Sequence, residues 1–283
     1  MRWDIGSIYK SIRTSKGLTQ KEVCADRLSR SNLAKFESNR SIPSYETMEF
    51  LLRQLDMTFE EFDYICHFYQ PSERQAIVNR VLNYTSSVDN DELQTLKNLC
   101  QDYLKREKND IPIQNILRKA KIVLEVRQHS FSSRAQELAN TAWKELEKRD
   151  VWYASDIHQI GSILFFFPID TVQIIADRIL LNLEKYKDYT NVKSMKTSLF
   201  LNLASIFFSH HRLQECEKVA SLALESAKEQ KRYDQLGLAQ VLLGLCKDQL
   251  DLIDKGRQIL ELTGETTLLA QFQQQISEHH KKS

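Results

Sequence analysis

From residue 76 onward the sequence repeats one pattern: two amphipathic segments, a short polar break, and a new pair about 35 to 42 residues further on. The pairs are 76–84 with 92–104, 113–127 with 132–148, 152–167 with 171–185, 193–210 with 213–228, and 233–248 with 250–262. A single segment, 266–279, closes the series. Apolar residues returning every three to four positions build helices rather than strands. A helix pair cannot cover its own apolar face, so pairs at this period stack into a solenoid. Only 7 Gly and 4 Pro interrupt the 283 residues, which leaves few places to break a helix. The fold class expected is therefore all-α. An N-terminal five-helix domain occupies 1–66, a linker 67–75 around Pro71, and a helical repeat array 76–283, ending in a capping helix.

The clearest unit is "SLFLNLASIFFSHHRLQECEKVASLALESAKEQ", residues 198–230. It resembles a tetratricopeptide repeat, with Leu203 and Ala204 at the Leu-Gly position and Phe207 at the aromatic position. Cys216, Ala220 and Ala223 hold the small positions where helices approach closely. "RAQELANTAWKEL", with Ala135, Ala139 and Ala142, and "LLGLC" at 242–246 are looser matches. The resemblance implies a right-handed array whose first helices line a concave groove. That groove would carry His158, Gln159, Ser162 and Phe165 from one unit. The next would add Ser198, Leu201, Asn202, Ser205, Phe208 and Ser209, and the following one Leu238, Val241, Leu242 and Leu245. Such a lining is apolar with sparse amides, which suits a short hydrophobic peptide. The competing reading is that its leucines and aromatics are core, and the run Phe165–Phe167 cannot all face one way on a helix.

The N-terminal segment differs in charge. Residues 1–45 hold nine Lys/Arg against four acids, a local +5 on a chain of net +1. A basic block on a mildly acidic body suits a module that touches a polyanion. Ile5, Ile8, Tyr9 and Ile12 form a helical stripe ending at Lys16-Gly17, where Gly supplies a left-handed cap. Thr19 with Glu22 reads as a capping box ahead of buried Val23 and Cys24. Ser29 or Ser31 caps a third helix whose buried side is Leu33, Ala34 and Phe36. Ser44 and Thr58 cap the fourth and fifth, with Met48, Leu51, Leu52 and Leu55 inward.

Residues 12–62 resemble the phage-repressor (XRE-type) helix-turn-helix domain through Arg13, Leu18, Gln20, Leu33, Glu37, Pro43 and Leu55 in order. The resemblance implies that the third helix enters the major groove of double-stranded promoter DNA. Ser29, Arg30, Ser31, Asn32 and Lys35 then face base edges, while Gln20, Asn39 and Arg40 anchor phosphates. Arg13 and Glu37 take the place of a structural ion pair. The turn before the third helix is about one residue shorter than the phage pattern, with Leu28 where a Gly is usual.

As a whole the chain resembles the Rgg/GadR/MutR regulators, in the wider RNPP group of peptide-pheromone receptors. This implies a cytoplasmic homodimer that binds promoter DNA and answers to a short hydrophobic peptide, as in quorum sensing of Gram-positive bacteria. Catalysis is not expected: the seven His do not pair with carboxylates at catalytic or metal spacing, and there is no Gly-rich phosphate loop. No cofactor or metal is expected. The longest apolar run, 160–169, is too short for a membrane span and carries a proline, and the first residues lack a signal-peptide pattern. Five widely spaced cysteines argue against a disulfide framework and suit small core residues. Two alternatives stay open: control by a protein partner, and control by cysteine oxidation. The apolar stripe of the last segment (Leu268, Leu269, Phe272, Ile276), flanked by Gln271 and Gln275, either caps the array or joins a second subunit.

Overall fold

A computed structural model describes residues 4–82, 90–129, 132–189, 192–265, 268–270, 272–273 and 277. All regular structure among them is helical. The chain divides into two compact units, Met1–Asn79 and Arg80–Ser283.

The first unit contains α1 (Ile5–Ser15), α2 (Gln20–Cys24), α3 (Arg30–Glu37), α4 (Tyr45–Gln54) and α5 (Phe59–Cys66). Each cap has a sequence cause. Thr19 Oγ1 accepts the Glu22 amide, and the Glu22 carboxylate accepts the Thr19 amide at 2.6 Å. Ser29, Ser44 and Thr58 each accept the amide three residues on. Caps of this kind contribute about 1 kcal/mol each. Gly17, at φ +72°, ends the first turn as expected. Tyr9, Leu33, Leu51, Leu52 and Leu55 form a sealed core with Val23, Phe36 and Phe62. Tyr9 packs on Phe36 at 5.4 Å between ring centres and donates its hydroxyl to the Leu51 carbonyl at 3.2 Å.

One expectation here is corrected. Ala34 is exposed, not buried; the inner side of α3 is Leu33, Phe36 and Glu37. Helical spacing places residue 37 four positions from 33 and so on the same face. In the shortened turn the residue at positive φ is Ala25, at +44°, while Leu28 stands where a Gly is usual. The chain therefore bends directly at the end of α2, at an Ala that carries the strain a Gly would relieve.

Gly6 sets how closely α1 meets α3. A Cβ there would lie 1.8 Å from the Phe36 carbonyl oxygen, so no larger residue fits this crossing. Beneath it lies the ion pair anticipated between Arg13 and Glu37. Arg13 Nε and Nη2 reach Glu37 Oε1 and Oε2 at 2.5 and 3.0 Å, and Arg13 Nη1 donates to the Leu18 carbonyl at 2.5 Å. Both residues are buried, and the carboxylate bond raises the Arg13 pKa.

The helix α6 (Glu73–Leu82) begins earlier than the 76 expected, because Ser72 Oγ accepts the Gln75 amide. It follows two left-handed residues, Phe68 and Tyr69. The division between the units falls inside α6.

The second unit continues with α7 (Asn90–Arg106), α8 (Ile111–His129), α9 (Ser133–Leu146), α10 (Ala154–Gly161), a 3₁₀ turn (Leu164–Phe166), α11 (Ile169–Glu184), α12 (Lys193–Ser209), α13 (Leu213–Gln230), α14 (Tyr233–Lys247) and α15 (Leu250–Leu262). Consecutive helices pack on each other most extensively from α12 to α15. The alternate helices α10, α12 and α14 also touch, forming a layer of first helices. One core runs from Ile122 to Leu268. The tetratricopeptide positions are filled as expected, with Leu203, Ala204, Phe207, Cys216, Ala220 and Ala223 all buried.

The segment 152–167 is not one helix. Trp152 lies before α10, buried, with its Nε1 donating to the Leu146 carbonyl at 3.0 Å. The Arg178 guanidinium stacks on it at 3.8 Å. After Gly161 the chain tightens into the 3₁₀ turn. There Phe165 is exposed while Phe166 and Phe167 pack on the core. Leu268, Leu269 and Phe272 of the closing segment also pack on this core; Ile276, Gln271 and Gln275 lie outside the described residues.

The cysteine reading is corrected in one respect. Cys216 on α13 and Cys246 on α14 form a disulfide, whereas Cys24, Cys66 and Cys100 are free and buried. Stacking brings residues 30 apart to one interface, which spacing alone does not reveal.

Replacing Glu37 by Ala leaves a buried guanidinium uncompensated, which costs about 3–5 kcal/mol. Urea unfolding monitored by helical circular dichroism is expected to show the first unit losing structure at lower denaturant, with the second unit unchanged.

Candidate functional site

The outer face of α3 is polar and unobstructed. Ser29, Arg30, Ser31, Asn32 and Lys35 are all exposed, as is Arg40 beyond the helix. Ser29 is the cap, which settles the register: Arg30, Ser31 and Asn32 occupy the first turn and Lys35 the next. Ala34, expected on the buried side, and Ser38, which sequence reasoning did not assign, share this exposed side.

Two expected phosphate anchors are engaged inside the fold. Gln20 Nε2 donates to Glu37 Oε2 at 2.7 Å, so its amide is the third donor on that carboxylate. Asn39 Oδ1 accepts the amides of Gly6 and Ser7 at 2.8 and 3.2 Å. These are first-turn donors of α1 that have no partner within their own helix. Asn39 is also left-handed, at φ +59°. The Asn39 amide donates to the Phe36 carbonyl and the Arg40 amide to that of Lys35, both at 2.8 Å. This is a Schellman closure of α3. One residue thus ends α3 and caps α1. Its side chain positions the helix, and the backbone turn it makes directs Arg40 outward.

In the second unit, polar contacts step across the first helices. Lys119 Nζ on α8 donates to His158 Nε2 on α10 at 3.1 Å. Asn202 Nδ2 on α12 donates to the Gly161 carbonyl at the end of α10 at 3.4 Å. Gln235 Nε2 on α14 donates to Ser198 Oγ on α12 at 2.8 Å. Gln235 is only 3 % exposed, and its Oε1 has no hydrogen-bond partner. Lys119 and Gln235 were not among the residues expected here. The only sequence signal for them is a polar residue at the inward register of a first helix.

The expected groove residues separate into two groups. Asn202, Ser205 and Phe208 are half-buried on α12, and His158, Gln159 and Ser162 are accessible around the end of α10. Ser162 and Ser205 donate their hydroxyls to carbonyls of their own helices. Leu238 and Leu242, by contrast, are core, as are Leu201, Val241 and Leu245. The reason is that α14 packs against α12, α13 and α15 at once, leaving little of it open. Phe165 is exposed on the 3₁₀ turn. A depression of about 550 Å³ follows the outer side of α9 from Ser132 to Lys144. It is lined by a single helix, so groups do not converge on it.

His158 is reachable by solvent but electrostatically confined: repulsion from Lys119, then burial, pushes its pKa down to about 4. Burial also lowers the Lys119 pKa. The imidazole is therefore neutral at pH 7, and its Nε2 serves as the acceptor. No group of His, Cys, Asp and Glu suited to a metal ion occurs among the described residues.

The model for the C-terminal domain of the HTH-type transcriptional regulator Rgg matches residues 93–242, and a helix-turn-helix model matches residues 10–62. The chain belongs to the Rgg family of transcriptional regulators. Solved structures share the fold of this Rgg-family chain over nearly its full length. A protein from Listeria monocytogenes EGD-e, described as a candidate transcriptional regulator, is 19 % identical with a TM-score of 0.71, covering 99 % of this chain and 98 % of its own. The SHP pheromone receptor Rgg2 of Streptococcus dysgalactiae is 17 % identical with a TM-score of 0.67, covering 99 % and 100 %. ComR of S. thermophilus, solved with DNA and its signalling peptide ComS, is 14 % identical with a TM-score of 0.64, covering 98 % and 99 %. No curated protein matches the sequence.

Because Lys119 is the larger cause of the His158 depression, Lys119→Met is expected to move the His158 titration upward, toward the ordinary histidine value of about 6.5. Proton NMR of the imidazole from pH 3.5 to 8 checks this.

Proposed function

We propose that this Rgg-family regulator binds promoter DNA as a cytoplasmic homodimer, with α3 in the major groove of each half-site, and that a short hydrophobic peptide held against the first-helix layer controls it. The observation that carries the DNA reading is the outer face of α3. Arg30, Ser31, Asn32 and Lys35 make no contribution to the core, yet α3 is held rigidly by Glu37, Gly6 and Asn39. Arg30 can take guanine O6 and N7 with two bonds, and Lys35 reaches a base edge or phosphate. Arg40 contacts phosphate. A helix-turn-helix unit gains affinity by pairing on two half-sites, which favours the dimer.

The peptide reading rests on the polar groups among the first helices. Asn202 brings an amide to a half-buried apolar face, and Gln235 ties α14 to Ser198 on the neighbouring first helix. An extended peptide requires this kind of lining: apolar surface for its side chains and a few amides for its backbone. The reading agrees with the peptide receptors named among the structural neighbours. No helix among the described residues is long and apolar enough to cross a membrane. The domain division that goes with this reading is DNA binding at 1–66, a junction at 67–75, and peptide binding with dimerisation at 76–283.

Arg30→Ala is expected to cost about 1–3 kcal/mol at the specific operator with unchanged thermal stability. Equal gel-shift affinities for variant and parent would remove α3 as the reader. Asn202→Ala is expected to weaken binding of synthetic peptides matching short reading frames beside the gene, by about 1 kcal/mol or more, while free-protein DNA binding persists. Calorimetric titration of variant and parent with the same peptide decides it.

A further inference from the structure

The five cysteines divide by access and by partner. Cys24, Cys66 and Cys100 are free, and each is buried. Burial pushes the Cys100 thiol up to about 11 and raises that of Cys24, which keeps both protonated and unreactive. Cys216 is also sealed, at 0 % exposed, but it is bonded to Cys246. Cys246 lies in the last turn of α14 and is only partly buried. An accessible sulfur backed by a buried one in bonding reach is the arrangement of a reversible thiol pair.

The pair sits where it has mechanical leverage. The hairpin of α13 and α14 is joined at one end by its turn through the left-handed Lys231. Cys216, near the start of α13, and Cys246, near the end of α14, lie at the opposite end. Beside them Lys247 Nζ meets Glu217 at 2.8 Å, but both side chains are solvated, and such a pair contributes little. On either side of this boundary the helices are tied more closely. The α12 and α13 hydroxyls of Thr197 and Ser226 stand 2.6 Å apart, and Gln230 Nε2 donates to Thr197 Oγ1 at 2.8 Å. Between α14 and α15 the backbones nearly touch: a Cβ at Gly256 would lie 2.6 Å from the Gly237 carbonyl oxygen. The disulfide therefore links an α12–α13 block to an α14–α15 block. It also fixes how α14 lies beside α12 in the first-helix layer, a boundary otherwise bridged by the bond from Gln235 to Ser198.

We propose that Cys216 and Cys246 form a reversible oxidation site, open at rest and closed by a peroxide, that locks the α12–α13 block to the α14–α15 block. The resting state rests on the cytoplasmic reading, since thiols there are held reduced. In the first step the Cys246 thiolate attacks one oxygen of hydrogen peroxide. The O–O bond breaks, leaving a sulfenic acid on Cys246, and the departing hydroxide takes up a proton as water. The Cys216 sulfur then attacks the Cys246 sulfur, the S–O bond breaks, and the oxygen leaves as a second water with the Cys216 proton. Two thiols and one peroxide thus give one disulfide and two waters. Glutathione reverses the step by attacking the accessible Cys246 sulfur and releasing Cys216.

The test uses full-length protein, reduced and then treated with hydrogen peroxide. Thiols are alkylated after denaturation and located by mass spectrometry, and amide hydrogen exchange is followed in parallel. Peroxide is expected to join Cys216 to Cys246 while Cys24, Cys66 and Cys100 remain alkylated. Exchange at the facing ends of α13 and α14 is expected to slow by about tenfold, with α1 to α5 unchanged. Glutathione is expected to restore both thiols and the faster exchange. Cys246→Ser, a change at the half-buried position, is expected to fold and to lose the peroxide effect on exchange. Recovery of both thiols after peroxide would overturn the proposal, as would a Cys246 sulfinic acid with Cys216 still free. A bridge that glutathione cannot reopen, or one that closes with exchange unaltered, would overturn it equally. Alkylation trapping in unstressed cells is a separate measurement and tests the cytoplasmic reading by itself.

Discussion

Glu37 is the point on which the first unit turns. Its carboxylate is buried beneath the outer face of α3 and accepts from Arg13 twice and from Gln20 once. The interaction joins α1, α2 and α3, the three elements whose mutual angles define a helix-turn-helix. A buried carboxylate is unfavourable unless it is paired and bonded. Glu37 is both, so the desolvation that would oppose folding instead selects one arrangement. Gly6 and Asn39 complete it from the outer edge, Gly6 by admitting the α3 backbone and Asn39 by closing α3 while capping α1. The side chains left over on α3 are those with no internal partner, and they form the proposed reading face.

In the second unit the equivalent constraint is close stacking rather than charge. Ala204, Cys216, Ala220 and Ala223 leave so little volume that consecutive helices interlock, and apolar residues on both sides of α14 become core. This is why leucines such as Leu242 cannot line a groove. Polar residues instead bridge neighbouring first helices. Lys119, Asn202 and Gln235 each bond across one helix boundary, placing donors and acceptors where apolar packing alone would leave none.

Much of this was legible in the residues. The caps at Thr19, Ser44 and Thr58, the left-handed Gly17, the Arg13–Glu37 pair and the boundaries of α11 to α15 follow from local rules, because each depends on residues three or four positions apart or on a familiar motif. Other contacts that span helices were not legible. The bonds of Asn39 to Gly6 and of Gln20 to Glu37 appear only once α1, α2 and α3 come together. Cys216 and Cys246 read as separate core thiols until α13 and α14 align.

By itself the sequence determined the helices, their pairing period, the caps that start them and the basic face carried by Ser29 to Arg40. All are local consequences of helical spacing and cap chemistry. The tertiary structure alone decided which polar side chains are spent on the fold and which remain for a ligand. That choice depends on distances between residues remote in the chain, such as Lys119 to His158 or Asn39 to Gly6, and helical periodicity places a side chain on a face without saying what stands opposite.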